Sequence, residues 1–311
     1  MNQAIAYDRK SEVCPLCASA DQAKGSFGLL RCQSCGLTID PAVWRPQANE
    51  AFEHDWFGDE YDPEQSSWVR LFERWIDRRT VKRLASLNVP GKRLLEIGVG
   101  SGSFLRRARA VGFEVMGCDL SKSICARIEC RFGIPMHCGY LAELPLQPLF
   151  DVVVMNHVLE HVSDPVSLLR DVRNRLVPGA ILHVAVPNVA CFEARLPGWA
   201  SYEPYHLIYF TPETLRRTVV AAGFLIEREL THESFSGWFL AGLRTALPTR
   251  HSIVAAGARL AARKARAESP MEHAYRAAMV TFGTLTWPLR KVQAGLGKGD
   301  EAICIARIPG F

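Results

Sequence analysis

The chain has 311 residues, 48% of them hydrophobic and 22% charged, with a formal net charge of +5. Such a composition excludes a disordered or collagen-like chain and is large enough to bury a full core with an extra module or two. The opening MNQAIAYDRK turns polar at once and no apolar run approaches the length of a membrane span, so a cytoplasmic protein is expected, with no signal peptide and no transmembrane helix.

Four of the ten cysteines fall in two tight pairs, Cys14-Pro-Leu-Cys17 and Cys32-Gln-Ser-Cys35. Two such knuckles make a tetrahedral thiolate site suited to one structural Zn2+, and residues 1–40 are read as a zinc ribbon in which SFGLLRC is the second strand of a hairpin. The scattered remaining cysteines fit a reducing compartment. Segment 1–50 has no basic run interleaved with aromatics, so nucleic acid is not expected as its partner. Residues 41–65 are proline-punctuated, acidic and aromatic and read as a connector; 66–87 then place apolar residues at helical spacing.

Beyond Pro90-Gly91 strands and helices alternate. Strands are expected at 93–97, 113–118, 134–138, 150–155, 180–186, 224–230 and 302–308, and helices near 102–111, 122–132, 164–176 and 212–222. This pattern predicts an α/β, Rossmann-like seven-stranded sheet, largely parallel, with its ligand beyond the carboxyl ends of the strands. The core is assigned to 66–234, an insertion to 235–298, and the last strand to 299–311.

LLEIGVGSGSF, Leu94 to Phe104, follows the first core strand. A dinucleotide loop spaces its glycines G-x-G-x-x-G to seat a pyrophosphate on a helix N-terminus. Here Gly98, Gly100 and Gly102 are spaced G-x-G-x-G, and the carboxylate of Glu96 would oppose a phosphate. An acid suits an ammonium group, which S-adenosyl-L-methionine (SAM) carries. Asp119, ending the second core strand, is placed to accept hydrogen bonds from ribose hydroxyls.

With these residues, FDVVVMNHVLEHVSDP at 150–165, and the stretch 186–224, the chain resembles the class I SAM-dependent methyltransferases, in the branch of ubiquinone-biosynthesis O-methyltransferases and glycan-pathway enzymes. A zinc ribbon ahead of the domain recurs in that group. The resemblance implies that Leu120, Tyr140, Leu141 and Asn156 join the cofactor-binding set. Tyr140 and Leu141 replace an expected Asp-Ala, which leaves backbone amides and stacking to hold the adenine.

His157, Glu160 and His161 after the fourth core strand, and His206 after the fifth, are expected at the pocket, with His157, His161 and His206 as candidate general bases. Relatives with E-x-x-E-H and a distant His hold a divalent metal there. The present H-x-x-E-H leaves two readings: a second divalent metal on Glu160, His161 and His206, or residues that only shape the loop and helix start.

The insertion carries ten Lys or Arg against Glu268 and Glu272, a net +8 in a chain of +5, so the remainder is net negative. Tyr275, Met279 and Phe282, and then Leu289, Val292 and Leu296, give basic amphipathic helices broken at Pro288. The sixth core strand, taken as parallel to its neighbours, would deliver the insertion over the pocket. A solvated cap and a lid peripheral to the inner membrane face both fit this pattern. The expected activity is methyl transfer to oxygen of a small-molecule, sugar, glycan or lipid-linked acceptor. The alternative is a zinc-ribbon nucleic-acid-binding protein with an RNA-modifying or degenerate methyltransferase domain; the intact glycine loop and Asp119 weigh against degeneracy.

Overall fold

The computed structural model describes residues 12–44, 67–202, 205–233, 237–246 and 270–310. Most of the connector (45–65) and the basic residues Arg250, Arg259, Arg263, Lys264 and Arg266 lie outside the described residues, as do the side chains of 67–75, 270–276 and Met279.

The core sheet comprises β4 (Arg93–Ile97), β5 (Glu114–Asp119), β6 (Met136–Cys138), β7 (Phe150–Asn156), β8 (Leu176–Pro187), β10 (Leu225–His232) and β11 (Glu301–Arg307). Their order is β10-β11-β8-β7-β4-β5-β6. Pairs from β8 to β6 are parallel, and β11 is antiparallel to both β8 and β10. The central strands are apolar because both faces are covered: in β7 the residues Phe150–Met155 are all buried.

Helices α1 (Ser67–Ala85), α2 (Ser103–Ala110), α3 (Lys122–Phe132), α4 (Pro165–Arg173) and α5 (Pro212–Ala221) supply the outer layers. Their starts are chemically marked. The hydroxyl of Ser121 accepts the amide of Ile124, the carboxylate of Asp164 that of Ser167, and the hydroxyl of Thr211 that of Thr214. Pro165 and Pro212 occupy first turns, where no backbone donor is missed.

Two expectations are corrected. The sixth core strand, β10, is not parallel to its neighbour: it pairs only with β11, and antiparallel. It nevertheless runs in the same direction as β8, because both oppose β11, so it still ends at the carboxyl side of the sheet. Nor does Pro288 break the insertion. The insertion holds α6 (Gly237–Ala246) and α7 (Pro270–Gly295), and α7 runs unbroken through Pro288. Tertiary anchors outweigh the lost backbone bond: buried Arg290 pairs with Glu233 at 3.2 Å, and Gln293 joins Trp238 at 2.8 Å and Glu193 at 2.9 Å.

The N-terminal module contributes β1 (Gln22–Lys24), β2 (Leu30–Cys32) and β3 (Thr38–Ile39). Its hairpin is shorter than expected, since Ser26–Gly28 form a 3-10 turn, and it gains a third strand. That strand pairs antiparallel with β9 (Ile208–Tyr209), a segment of the core between β8 and α5.

Candidate functional site

The glycine loop leaves β4 with positive φ at Gly98, Gly100 and Gly102. A Cβ on Gly98 would stand 2.5 Å from Val158, whereas one on Gly100 would meet nothing within 4 Å. The first glycine is therefore needed for close approach and the second faces open space. Glu96 is 3% exposed and its Oε2 has no hydrogen-bond partner among the described residues. Burial, then the charges of Asp77 and Asp119, hold its carboxyl pKa well above the usual range. A cation beside it would relieve all three costs.

Asp119 is buried, with Oδ2 accepting the Val99 amide at 2.8 Å and Oδ1 the Ser121 amide at 2.9 Å. Burial still raises its pKa despite these bonds. A carboxylate has about four acceptor positions; the Gly100 amide also bears on this one, and the capacity that is left faces ligand hydroxyls. Asp119 thus fixes the glycine loop as well as facing the ligand side. The Tyr140 amide already donates to Glu143 Oε2 at 3.0 Å, so its half-exposed ring, rather than its amide, is suited to stacking. Leu141 is buried, and Leu120 and Asn156 are partly buried at the ends of β5 and β7. Spacing gave no sign of Asp77, on α1, which stands close enough to Glu96 to raise its pKa.

On the other side of the loop, Leu159–His161 form a 3-10 turn. Glu160, His161 and His206 each place a ligand atom within 4.8 Å of the other two. His161 Nδ1 lies 3.0 Å from the Tyr205 carbonyl and His206 Nδ1 2.8 Å from that of Ser201. A carbonyl accepts only, so each ring carries its proton on Nδ1 and Nε2 is the basic nitrogen. Burial lowers both pKa values, to about 4 at His206, so both rings are neutral at pH 7. Glu160 is 1% exposed; burial works to raise its pKa, but the hydrogen bond and charge of His157 bring it below the usual value. Its Oε2 has no hydrogen-bond partner among the described residues.

His157 stands apart from this trio. It takes a left-handed φ of 55° and bridges two acids, with Nδ1 3.3 Å from Glu160 and Nε2 3.0 Å from Glu301. Desolvation opposes its charge, but the two carboxylates prevail and raise its pKa. Glu301 is 144 residues away in sequence, and no motif marks it. It sits across β10–β11 from His232, so both ends of the insertion meet the core beside His157.

At the N-terminus Cys14 and Cys35 sulfurs are 3.5 Å apart, as are those of Cys17 and Cys32. All four lie within 4.8 Å of one another. A tetrahedral ion with metal–sulfur bonds of about 2.3 Å would put the sulfurs about 3.8 Å apart, so the four fit one zinc with modest spreading. Each knuckle closes on a left-handed residue, Ala18 or Gly36, whose amide donates to the carbonyl of Cys14 or Cys32 at 2.9 Å.

A methyltransferase-domain family model matches residues 68–229. The chain belongs to the methyltransferase family. Among curated relatives, the ubiquinone biosynthesis O-methyltransferase of Bradyrhizobium sp. (strain ORS 278) is 28% identical over 49% of this chain and 64% of its own. That of Caulobacter sp. (strain K31) is 35% identical over 32% and 42%. The chain thus spans less than two thirds of these curated relatives. Among solved structures, a putative sarcosine dimethylglycine methyltransferase from Galdieria sulphuraria aligns with a TM-score of 0.52 at 15% identity, over 85% of this chain and 98% of its own. The [4+2]-cyclase SpnF aligns at 0.51 and 21% identity, over 85% and 96%. These two show the fold, which a cyclase shares, so the chemistry has to be argued from the site. Its methyltransferase-family domain is built on a seven-stranded α/β core. Among the described residues no helix is long and apolar enough to cross a membrane.

Proposed function

We propose that this methyltransferase acts on oxygen of a sugar, glycan or lipid-linked small molecule. The observation that carries the reading is the trio of Glu160, His161 and His206 beside the glycine loop, with both imidazoles neutral and their Nε2 atoms basic. A hydroxyl acceptor must lose its proton, and a positioned neutral histidine accelerates such a step by about 10²–10⁴-fold. His206 is the better buried of the two and is assigned the proton; His161 orients the acceptor. The relatives named as O-methyltransferases support oxygen as the receiving atom.

SAM supplies an electrophilic methyl on its sulfonium. Glu96 would receive its ammonium, Asp119 its ribose, and Tyr140 and Leu141 its adenine, while Gly100 leaves room and Gly98 lets the loop close on Val158. The enzyme's remaining work is alignment and exclusion of water. Cys14, Cys17, Cys32 and Cys35 would hold one structural zinc.

One observation favours a second reading of the trio. Glu160 has a buried oxygen without a hydrogen-bond partner among the described residues, and both histidines are oriented through Nδ1 by carbonyls, as metal-ligating imidazoles commonly are. A divalent cation there would lower the pKa of an acceptor hydroxyl. Transfer of a labelled methyl group to lipid-linked phenols and to sugar nucleotides, before and after chelation, tests both readings. Transfer to neither acceptor class, with SAM bound, would overturn the oxygen assignment.

The insertion is proposed to touch anionic lipid. On α7 and the residue just past its end, the side chains of Leu285, Leu289, Val292 and Leu296 are 60–73% exposed and follow one helical face, with Lys291 and Lys298 in the same stretch. Two +8 insertions would repel each other, so a second copy is the poorer occupant.

A further inference from the structure

The ribbon and the histidine–carboxylate trio are parts of one hydrogen-bonded structure. Strand β3 begins three residues after Cys35 and pairs with β9, matching Thr38 with Tyr209 and Ile39 with Ile208. The Asp40 amide then donates to the Leu207 carbonyl at 2.9 Å. Leu207 is the neighbour of His206 in sequence, and its own amide donates to the carbonyl of Glu160 at 2.9 Å. Two of the three trio residues are therefore attached to Leu207, and Leu207 is attached to the ribbon.

A second path runs through side chains. The ring of Phe27 lies 4.7 Å from that of Tyr202, Tyr202 lies 5.8 Å from Tyr209, and Tyr209 lies 6.1 Å from His206. His206 in turn is 4.7 Å from His161. Beneath both paths, Cys14, Cys32, Leu37, Ile39 and Val43 share one buried cluster with Leu207, Ile208, Phe210 and Leu215. An appended binding module would keep a core of its own; this one has its core inside the catalytic domain.

Segment 205–210 is buried, but among the described residues its one ladder partner is the ribbon. Strand β9 has two residues and pairs only with β3. Elsewhere its backbone makes single contacts: the Leu207 amide with Glu160, the Tyr205 carbonyl with His161, and Phe210 with Val189 and, through an isolated bridge, Asn188. A two-residue strand is far below the length that persists alone. Strand β3 is equally short, and its register is set by the knuckle that ends at Cys35. The glycine loop, by contrast, is fixed by Asp119 and by β4–β5 pairing, neither of which involves the ribbon.

We propose that the four-cysteine ribbon is the positioning element for His206 and Glu160, so that metal loading at Cys14, Cys17, Cys32 and Cys35 orders the acceptor side of the site and leaves the cofactor side standing. The catalytic consequence rests on the acceptor-side reading of the trio; the structural coupling does not.

The test compares full-length wild type, Cys32→Ser, and Ile39→Ala, which keeps all four cysteines but removes apolar contact at the β3–β9 junction. Elemental analysis gives zinc per chain, calorimetry gives SAM affinity, and hydrogen exchange by mass spectrometry follows residues 205–210 and 159–161. Wild type is expected to hold one zinc. Zinc-free Cys32→Ser should exchange at 205–210 about tenfold faster or more, while SAM affinity changes by less than about threefold. Ile39→Ala should keep its zinc and show the same local loosening. Unchanged exchange at 205–210 in zinc-free protein would overturn the proposal. If Cys32→Ser does not fold, Ile39→Ala decides: loosening at 205–210 with zinc retained supports the coupling, and wild-type exchange refutes it. Loss of SAM binding in wild type would instead strike at the methyltransferase reading and leave the coupling intact.

Discussion

The proposed cofactor side and the proposed acceptor side of this molecule are assembled in opposite ways. Glu96, the three glycines, Asp119, Tyr140 and Leu141 all come from one run of fewer than fifty residues, and parallel pairing of β4 with β5 and β5 with β6 brings them together. The acceptor side draws on β3, the turn after β7, the segment before β9, the end of β10 and the start of β11. A site made from one local run tolerates damage elsewhere; a site made from five distant pieces fails when any piece moves. The two sides should therefore separate experimentally.

The largest separation is expected at Asp119. Replacing it by Ala removes acceptors for two ribose hydroxyls, each bond to a charged group being worth about 1.5–3 kcal/mol, and also frees the Val99 and Ser121 amides. SAM affinity should fall by about 10²–10⁴-fold, and Asp119→Asn, which can satisfy only one amide as acceptor, should lie between. The exchange rate at 205–210 should stay unchanged. Calorimetry finding wild-type SAM affinity in Asp119→Ala would remove the cofactor assignment.

Next is His206→Ala, which should leave SAM affinity within about twofold but slow methyl transfer by about 10²-fold or more. If both quantities fall together, the two sides are one unit and the comparison breaks. If neither moves, His206 is a packing residue.

These two expectations differ in how far the sequence could support them. The cofactor side was legible because strand, glycine loop, helix and acid follow one another in the order in which the fold uses them. Four of the seven strands of the core sheet both begin and end within a residue of where periodicity put them, β4 at 93–97 and β11 at 301–307 among them. The acceptor side was half legible. Glu160, His161 and His206 were expected together, but the separate role of His157 depends on Glu301, and no spacing rule links residues on strands so far apart. Asp77 and the β3–β9 ladder were invisible for the same reason: each is a contact between segments whose sequences carry no mark of one another. The course of α7 through Pro288 was misjudged because the helix is held by Arg290 and Gln293, whose buried partners Glu233 and Glu193 lie elsewhere in the chain.

A third expectation uses pH. Burial depresses His206 to about 4, and His183 on β8 is likewise lowered to about 4. In the unfolded chain each titrates near about 6.5. The unfolded state therefore binds more protons below that value, and stability falls as pH drops from about 6.5 towards 4, by roughly 2–4 kcal/mol for each histidine. Denaturant melts at pH 7 and pH 5 measure this. His206→Gln should remove its share of the acid sensitivity, and His183→Gln the other. Acid sensitivity that survives both changes would place its origin in groups other than these histidines.

The smallest effect on the fold is expected on α7, where it discriminates most sharply between a cap and a membrane contact. Leu289 is 60% exposed and Leu285 is 73% exposed, so burial contributes little to holding either in place. Leu285→Ser with Leu289→Ser should change stability by no more than about 0.5 kcal/mol per site, as surface changes usually do. A solvated cap predicts nothing further. A lipid-facing helix predicts that wild type sediments with anionic vesicles in low salt, that each basic residue near the surface contributes about 1 kcal/mol, and that high salt reverses it. The double variant should then lose vesicle binding while keeping wild-type melting behaviour and SAM affinity, because neither the glycine loop nor the ribbon touches that face. Wild type that ignores anionic vesicles would leave α7 as cover for the site, and retention of vesicle binding by the double variant would move the contact away from this helix face.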